Sequence, residues 1–368
     1  MTDRERMIRI LSHESVDRVV WQPRIEHWFN VNTKYGTIPE RYRGMSLIEI
    51  YDDLGCSVRA YDFYNQAIER IHPPELWGEI IEDTPKRCVD LLHTPVGTLQ
   101  QTLSRTEESA LVSEFYVKQI EDLEVIEYLI ENEHFHFNLD TFHKMDALIG
   151  DRCAPVIFNL RTPLMRMFIE YIGFETSIIL MHEHPDRMTK FIRFMEEADD
   201  RFYDMVKKSP VGILNFGDNV DSNMLPPSLM RKWTLPYYQK RTAELHDAGM
   251  LTYPHWDGAL KGLLPFVKEA GFDGYEALTP EPMGDVTIHE IAEALGHEYV
   301  LIDGIPASMF CEPFSAKDVE DFALLVLDLF SPSLILGVSD EMPPNADIER
   351  VRLVSEIVRD YRPPIREV

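Results

Sequence analysis

In the C-terminal half of the chain, apolar and polar positions alternate in blocks. Five short apolar runs each end in an acid or a histidine, and a helix-like stretch follows each one. The runs are Val211–Asp218, Met250–Asp257, Asp273–Glu276, Tyr299–Asp303 and Leu334–Asp340. Parallel strands are covered on both faces, so they read as continuous apolar runs. The spacing of apolar residues predicts helices over 227–247, 259–270, 286–295, 315–330 and 347–360. Gly249, Gly271 and Gly296 stand where helix C-caps are expected.

The N-terminal half carries the same rhythm with one interruption. A helix is expected over 3–12, a first strand over 19–24, a helix over 45–54 and a second strand over 55–62. A third strand is expected over 153–159, and a long helical region over 163–207, broken at Pro185. Residues 79–118 depart from this order. Within them, 94–103 and 110–117 alternate and are joined by a polar turn, which predicts an inserted antiparallel hairpin. Helices at 122–131 and 138–149 follow. Eight strands, each followed by helix, favour an α/β fold of the closed (β/α)8 TIM-barrel type. No Gly/Ser-rich linker divides the sequence, so residues 1–368 are expected to form a single domain.

Composition adds exclusions. A length of 368 residues suits one barrel with insertions. The net charge of −27 argues against partners with phosphate backbones and against anionic membranes. The sequence has no apolar stretch of about 20 residues, the length needed to span a bilayer. The charged N-terminus lacks a signal-peptide core, so a cytoplasmic location is expected. Cys56, Cys88, Cys153 and Cys311 are scattered without a CxxC, which speaks against a disulfide framework. No GxSxG elbow, Gly-rich phosphate loop or GxGxxG is present.

The chemistry should sit where the strands end, because barrels of this class place their active sites there. His255-Trp256-Asp257 is the sharpest local signal. Residues two apart on a strand share a face, so His255 and Asp257 offer an imidazole and a carboxylate to zinc or another divalent ion. A histidine bonded to a carboxylate without metal is the alternative. Asp340 reads as a third ligand, as a general acid or base, or as a cap on the following turn. Glu276 reads as a ligand or base, or as half of a buried ion pair. Asp218 reads as a substrate or ligand-orienting group, or as a turn former; Asp303, before Gly304, reads as a turn former.

Arg24, His27 and Trp28 follow the first strand, and Asp62 and Tyr64 the second. Arg24 suits a substrate carboxylate, or else pairs with one of the acids above. Of Arg161 and Arg166, the latter reads as structural. Cys311 reads as a thiolate ligand or a buried thiol. His134 and His136 read as surface positions, and His182 and His184 as positions near a helix end, where a histidine favours the dipole.

These residues sit within a wider resemblance. Glu14–Trp21, Arg161–Leu164 with Gly173-Phe-Glu, and Pro226–Tyr237 resemble the uroporphyrinogen decarboxylase superfamily. So do His255–Gly258, Gly271–Gly274, Leu336-Gly and Pro344–Val351. The resemblance runs from about residue 3 to 362 and implies a (β/α)8 barrel. The superfamily includes the decarboxylase of haem biosynthesis and zinc methyltransferases that work with corrinoid proteins or coenzyme M. Arg24 matches the first arginine of the decarboxylases' Arg-X-X-X-Arg motif, but Trp28 stands at the second. Asp62 corresponds to their substrate-binding aspartate, and Asp340 replaces their late histidine. The methyltransferase branch binds zinc through His-X-Cys and a second, later cysteine. Here His255 is kept, while Asp257 and Asp340 replace the cysteines.

The resemblance therefore implies methyl transfer from a small methylated donor to a corrinoid protein. A divalent metal, zinc first, would be held by His255, Asp257 and Asp340. Asp340, Asp62 and Glu276 are the candidate catalytic groups. Arg24, His27, Trp28, Tyr64, Asp218 and Trp256 would bind substrate. The sequence has no corrinoid-binding Asp-X-His-X-X-Gly motif, so the corrinoid would ride on a separate carrier. A homodimer is compatible with this reading. The alternatives are a metal-free decarboxylase or lyase acting on an anionic substrate, and a non-catalytic barrel binding a ligand through Trp28 and Trp256.

Overall fold

A computed structural model describes residues 1–362. The chain divides into two compact units. The first comprises Met1–Gln66, Leu139–Asn159 and the chain from Val211 onward. It holds seven parallel strands: β1 (Val20–Trp21), β8 (Val156–Phe158), β9 (Ile213–Val220), β10 (Leu251–Trp256), β11 (Gly274–Glu276), β12 (Val300–Pro306) and β13 (Leu334–Ser339). Their order is β1-β13-β12-β11-β10-β9-β8. All five C-terminal runs are strands in this curled sheet, and their residues are almost wholly buried, as a sheet covered on both faces requires.

The α/β barrel architecture expected from the sequence is the one observed, with a correction at the second strand. Residues 55–60 form no ladder, and Tyr61–Tyr64 is a short helix. The segment still runs buried beside β1, where Ser57 N donates to Trp21 O at 2.8 Å. Gln22 Nε2 donates to Val58 O at 2.9 Å. On the other side, Phe158 N donates to Asn65 Oδ1 at 2.8 Å. A ladder cannot propagate because β1 is only two residues long and Pro23, which has no N–H, follows Gln22.

Two helix expectations also change. Glu26–Tyr35 is a helix that the apolar spacing did not signal, closed by Gly36 in the left-handed conformation at φ 70°. Over 259–270 only the short turns Leu264–Phe266 and Val267–Ala270 are helical. The other barrel helices stand near their expected positions, among them Leu47–Leu54, Ile288–Leu295 and Ala316–Phe330. Each of these three begins with a capping box, in which Ser or Thr and a Glu or Asp three residues on satisfy each other's backbone N–H.

The second unit comprises Ala67–Asn138 and Leu160–Pro210. The expected hairpin is half of a four-stranded antiparallel meander: β3 (Trp77–Asp83), β4 (Arg87–Thr94), β5 (Gly97–Arg105) and β6 (Ala110–Glu114). The first two strands escaped notice because β3 is exposed almost throughout and rich in acids, so it has no alternating apolar face. β2 (Ile68–Ile71) pairs with β7 (His134–Phe137), which leaves His134 and His136 exposed. The helical region breaks at Pro185 as expected, and again at Gly173. Arg166 is buried on its helix and Nη2 donates to both Asp199 carboxylate oxygens at 2.6 and 2.7 Å. Arg161 Nη1 donates to Glu170 Oε1 at 2.9 Å. No described helix is long and apolar enough to cross a membrane.

Candidate metal centre

Within the first unit, the C-terminal ends of β10, β11 and β13 bring His255, Glu276 and Asp340 together. Successive side chains of a strand point to opposite faces. On β10 this turns His255 toward the barrel axis and Trp256 outward, onto the helix Leu235–Asp247. His255 Nδ1 lies 2.7 Å from Glu276 Oε2. An ionised carboxylate only accepts, so Nδ1 carries a proton, and in the neutral imidazole Nε2 presents a lone pair. That Nε2 lies 3.8 Å from Asp340 Oδ1. One ligand atom each from His255, Asp257 and Asp340 lies within 4.8 Å of the others.

Glu276 is fully buried and held from three sides. Arg59 Nη1 donates to Oε1 at 2.9 Å, Asn215 Nδ2 to Oε2 at 2.8 Å, and His255 Nδ1 completes the set. Burial alone would raise its pKa, but Arg59 and the His255 hydrogen bond outweigh burial and hold it well below the ordinary glutamate value. His255 is raised: burial disfavours its cation, but Glu276 favours it more strongly. Burial also raises Asp257, against the pull of His255.

The other arm of Arg59 contacts Asp303. Asp303 is therefore not a turn former. It sits within β12 at φ 85°, fully buried, paired in register with Leu336. Burial raises its pKa against the Arg59 charge. Arg59 and Asn215 escaped the reading of the sequence, although each is a polar residue inside an apolar strand-like run. A buried polar group needs partners, and that was the available signal.

Arg24 takes the ion-pair alternative. Its Nη1 contacts Asp340 Oδ1, and its Nη2 lies 3.5 Å from Glu341 Oε1. His27 Nδ1 stands 4.0 Å from Glu341 Oε2. Asp62, on the short helix Tyr61–Tyr64, is exposed; desolvation raises its pKa, and Arg24 opposes the rise.

Four expected substrate-binding residues are placed elsewhere. Tyr64 Oη donates to Asp146 Oδ1 at 2.9 Å and receives from Arg4 at 3.3 Å, with its ring against Phe142. Trp28 is buried edge-on to Tyr42. Trp256 and Asp218 both meet Tyr238 in the layer outside the strands. Trp256 Nε1 donates to Tyr238 Oη at 3.4 Å, and that hydroxyl donates to Asp218 Oδ2 at 2.6 Å. Strand parity explains this: Phe216 and Asp218 share the outward face with Trp256, while Asn215 shares the inward face with His255. Cys311 is half-buried and belongs to no cluster of potential ligands among the described residues.

A family model described as Uroporphyrinogen decarboxylase (URO-D) matches residues 96–361. Among solved structures, a methyltransferase from Methanosarcina mazei is similar with a TM-score of 0.60 at 14% identity, covering 98% of each chain. At that identity the likeness speaks for the barrel fold alone. The spore cortex-lytic enzyme SleL of Bacillus megaterium QM B1551 reaches a TM-score of 0.35 at 9% identity, over 61% of this chain and 64% of that one. No curated protein sequence matches significantly. With the family model spanning well over half of its length, the chain belongs to the uroporphyrinogen decarboxylase family.

Proposed function

We propose that this chain is a metal-dependent methyltransferase, moving a methyl group from a small methylated donor to a corrinoid held by a separate protein. The observation that carries the proposal is the grouping of His255, Asp257 and Asp340 ligand atoms within 4.8 Å at the strand ends. One imidazole nitrogen and two carboxylates are a donor set that zinc accepts, and the harder donors extend it to manganese and iron. Charge supports the fit. With Glu276 and Asp303 paired to Arg59, Arg24 meets both Asp340 and Glu341, and Asp257 stands with Asp340 in the same cluster. That excess of negative charge suits a divalent cation.

A bound ion there would supply Lewis acidity to the donor's heteroatom. The chain's own residues supply the setting. Glu276 keeps the proton of His255 on Nδ1, so that Nε2 stays a ligand. Arg24 holds Asp340 in place until a cation or an anionic group competes for it. The family membership and the barrel shared with a methyltransferase are consistent with this reading.

Protein purified without added metal tests it. Bound zinc or manganese near one equivalent, and metal-dependent demethylation of a methylated amine, thiol or alcohol with a corrinoid acceptor, is the expected result. Less than about one-tenth equivalent, with no activity on adding zinc or manganese, sinks it.

The contact of Arg24 with Asp340 favours a second reading. A guanidinium already at the strand ends can grip a substrate carboxylate. The chain would then be a metal-free decarboxylase or lyase, with Arg24 and Asp62 acting on an anionic substrate. Carbon dioxide release from a polycarboxylate in the presence of a chelator would decide for it.

A further inference from the structure

We infer that Arg59 and Asp303 are positioning residues for His255, holding Glu276 so that Nδ1 stays hydrogen-bonded and Nε2 is presented bare toward Asp340. The inference rests on the reading of His255 as a metal ligand. It adds Arg59, which contacts Glu276, and Asp303, which contacts Arg59.

The geometry is a chain of contacts from β12 to β10. Asp303 holds one arm of Arg59, and the other arm donates to Glu276 Oε1 at 2.9 Å. Glu276 Oε2 takes Asn215 at 2.8 Å and His255 Nδ1 at 2.7 Å. With both oxygens occupied, the carboxylate cannot rotate away from the imidazole. Without Arg59, Oε1 would lose its donor, and Asn215 would be the carboxylate's remaining partner among the described residues besides His255 itself.

Stability alone is a poor account of this arrangement. Arg59 is 1% exposed, and Glu276 and Asp303 are 0% exposed. Well-packed apolar residues commonly do as well as a buried ionic triad, or better. The backbone also carries local penalties here. Asp303 occupies the positive-φ region that residues with a Cβ avoid. Residue 337 must be glycine, because a Cβ there would press on the Asp303 carboxylate and stand 2.9 Å from Gln22 O. Such penalties persist where a side chain must be held in one place. Hydrogen-bonded partners behind a ligating histidine set its tautomer and ring orientation.

The test uses full-length, metal-free protein with 15N-labelled histidine. Long-range 1H–15N spectra at alkaline pH read the tautomer of His255, and competition titration reads its affinity for Zn2+ or Co2+. Wild type should show the Nδ1–H tautomer. The double variant R59Q/D303N removes one positive and one negative charge together, so the buried charge balance is kept. It should show mixed tautomers and a roughly tenfold to hundredfold weaker metal affinity, with a cooperative thermal transition retained. Arg59→Lys keeps the charge but cannot bridge both carboxylates, and should lose a smaller part of the affinity. A pure Nδ1–H tautomer and wild-type affinity in either foldable variant would overturn the inference. Wild type that binds metal but carries its proton on Nε2 when metal-free would also overturn it. Wild type with the Nδ1–H tautomer and no metal affinity would instead sink the metalloenzyme reading and leave the positioning role standing.

Discussion

Arg24 and His255 converge on one oxygen: Arg24 Nη1 contacts Asp340 Oδ1, and that atom lies 3.8 Å from His255 Nε2. A guanidinium and a metal ion would therefore compete for the same carboxylate. Arg24→Gln should tighten Zn2+ binding by about tenfold, equivalent to about 1.4 kcal/mol. An isothermal titration showing equal or weaker binding in the variant would argue that Arg24 and the ion do not compete.

Asp257 and Asp340 are the two candidate carboxylate donors of the proposed site. Either Asp257→Ala or Asp340→Asn should lower metal affinity by at least ~100-fold, more than the loss of an outer partner costs. Both side chains are partly exposed, so the thermal midpoint of the metal-free protein should barely move. Metal content unchanged by Asp257→Ala would remove that residue from the ligand set.

Tyr238 bonds Asp218 in the layer outside the strands, with both groups fully buried. Tyr238→Phe takes away that donor and should cost about 1–3 kcal/mol of stability. Metal affinity and KM should be unchanged. A selective rise in KM, without loss of stability, would return Asp218 to the substrate site.

Gly337 stands where a Cβ would meet the Asp303 carboxylate and Gln22 O. Gly337→Ala should destabilise the protein by about 1–3 kcal/mol through overpacking. Chemical denaturation would report it as a lower midpoint with an unchanged slope.

Arg6 and Asp17 provide a pH signature remote from the site. The Arg6 hydrogen bond lowers the Asp17 pKa from its ordinary 3.8 to about 2. A depressed carboxyl stabilises the fold above its unfolded value, and the contribution is lost as pH falls from about 4 toward 2. Asp17 is half-exposed, so solvent screens the pair and the effect is small. Arg6→Met should flatten the stability profile in that window; an identical acid limb would show that the pair contributes nothing measurable.

The legibility of this protein follows burial. The five C-terminal strands could be read because parallel strands covered on both faces produce apolar runs with no polar interruption. The grouping of His255, Asp257 and Asp340 could be anticipated because polar groups at the ends of such runs gather at one end of the sheet. The meander of β3 to β6 was half-legible, since its outer strand is exposed and carries acids where an alternating face was sought. Asp303 was misread because a local Asp-Gly pair looks the same whether it turns the chain or, as here, lies within a strand.

The order of elements, the barrel class, the family and the three candidate ligands follow from the sequence, because each depends on local periodicity or on a short motif. Tertiary structure alone decided which side of each strand a residue faces at the rim, and which distant groups meet. Strand parity near a bulge sent Asp218 and Trp256 outward to Tyr238. Curling of the sheet brought Arg59, from a segment with no ladder of its own, onto Glu276 and Asp303, which lie 217 and 244 residues away. Contacts of that separation leave no local pattern, since the burial that demands a partner for each charge exists only once the sheet has curled and been covered.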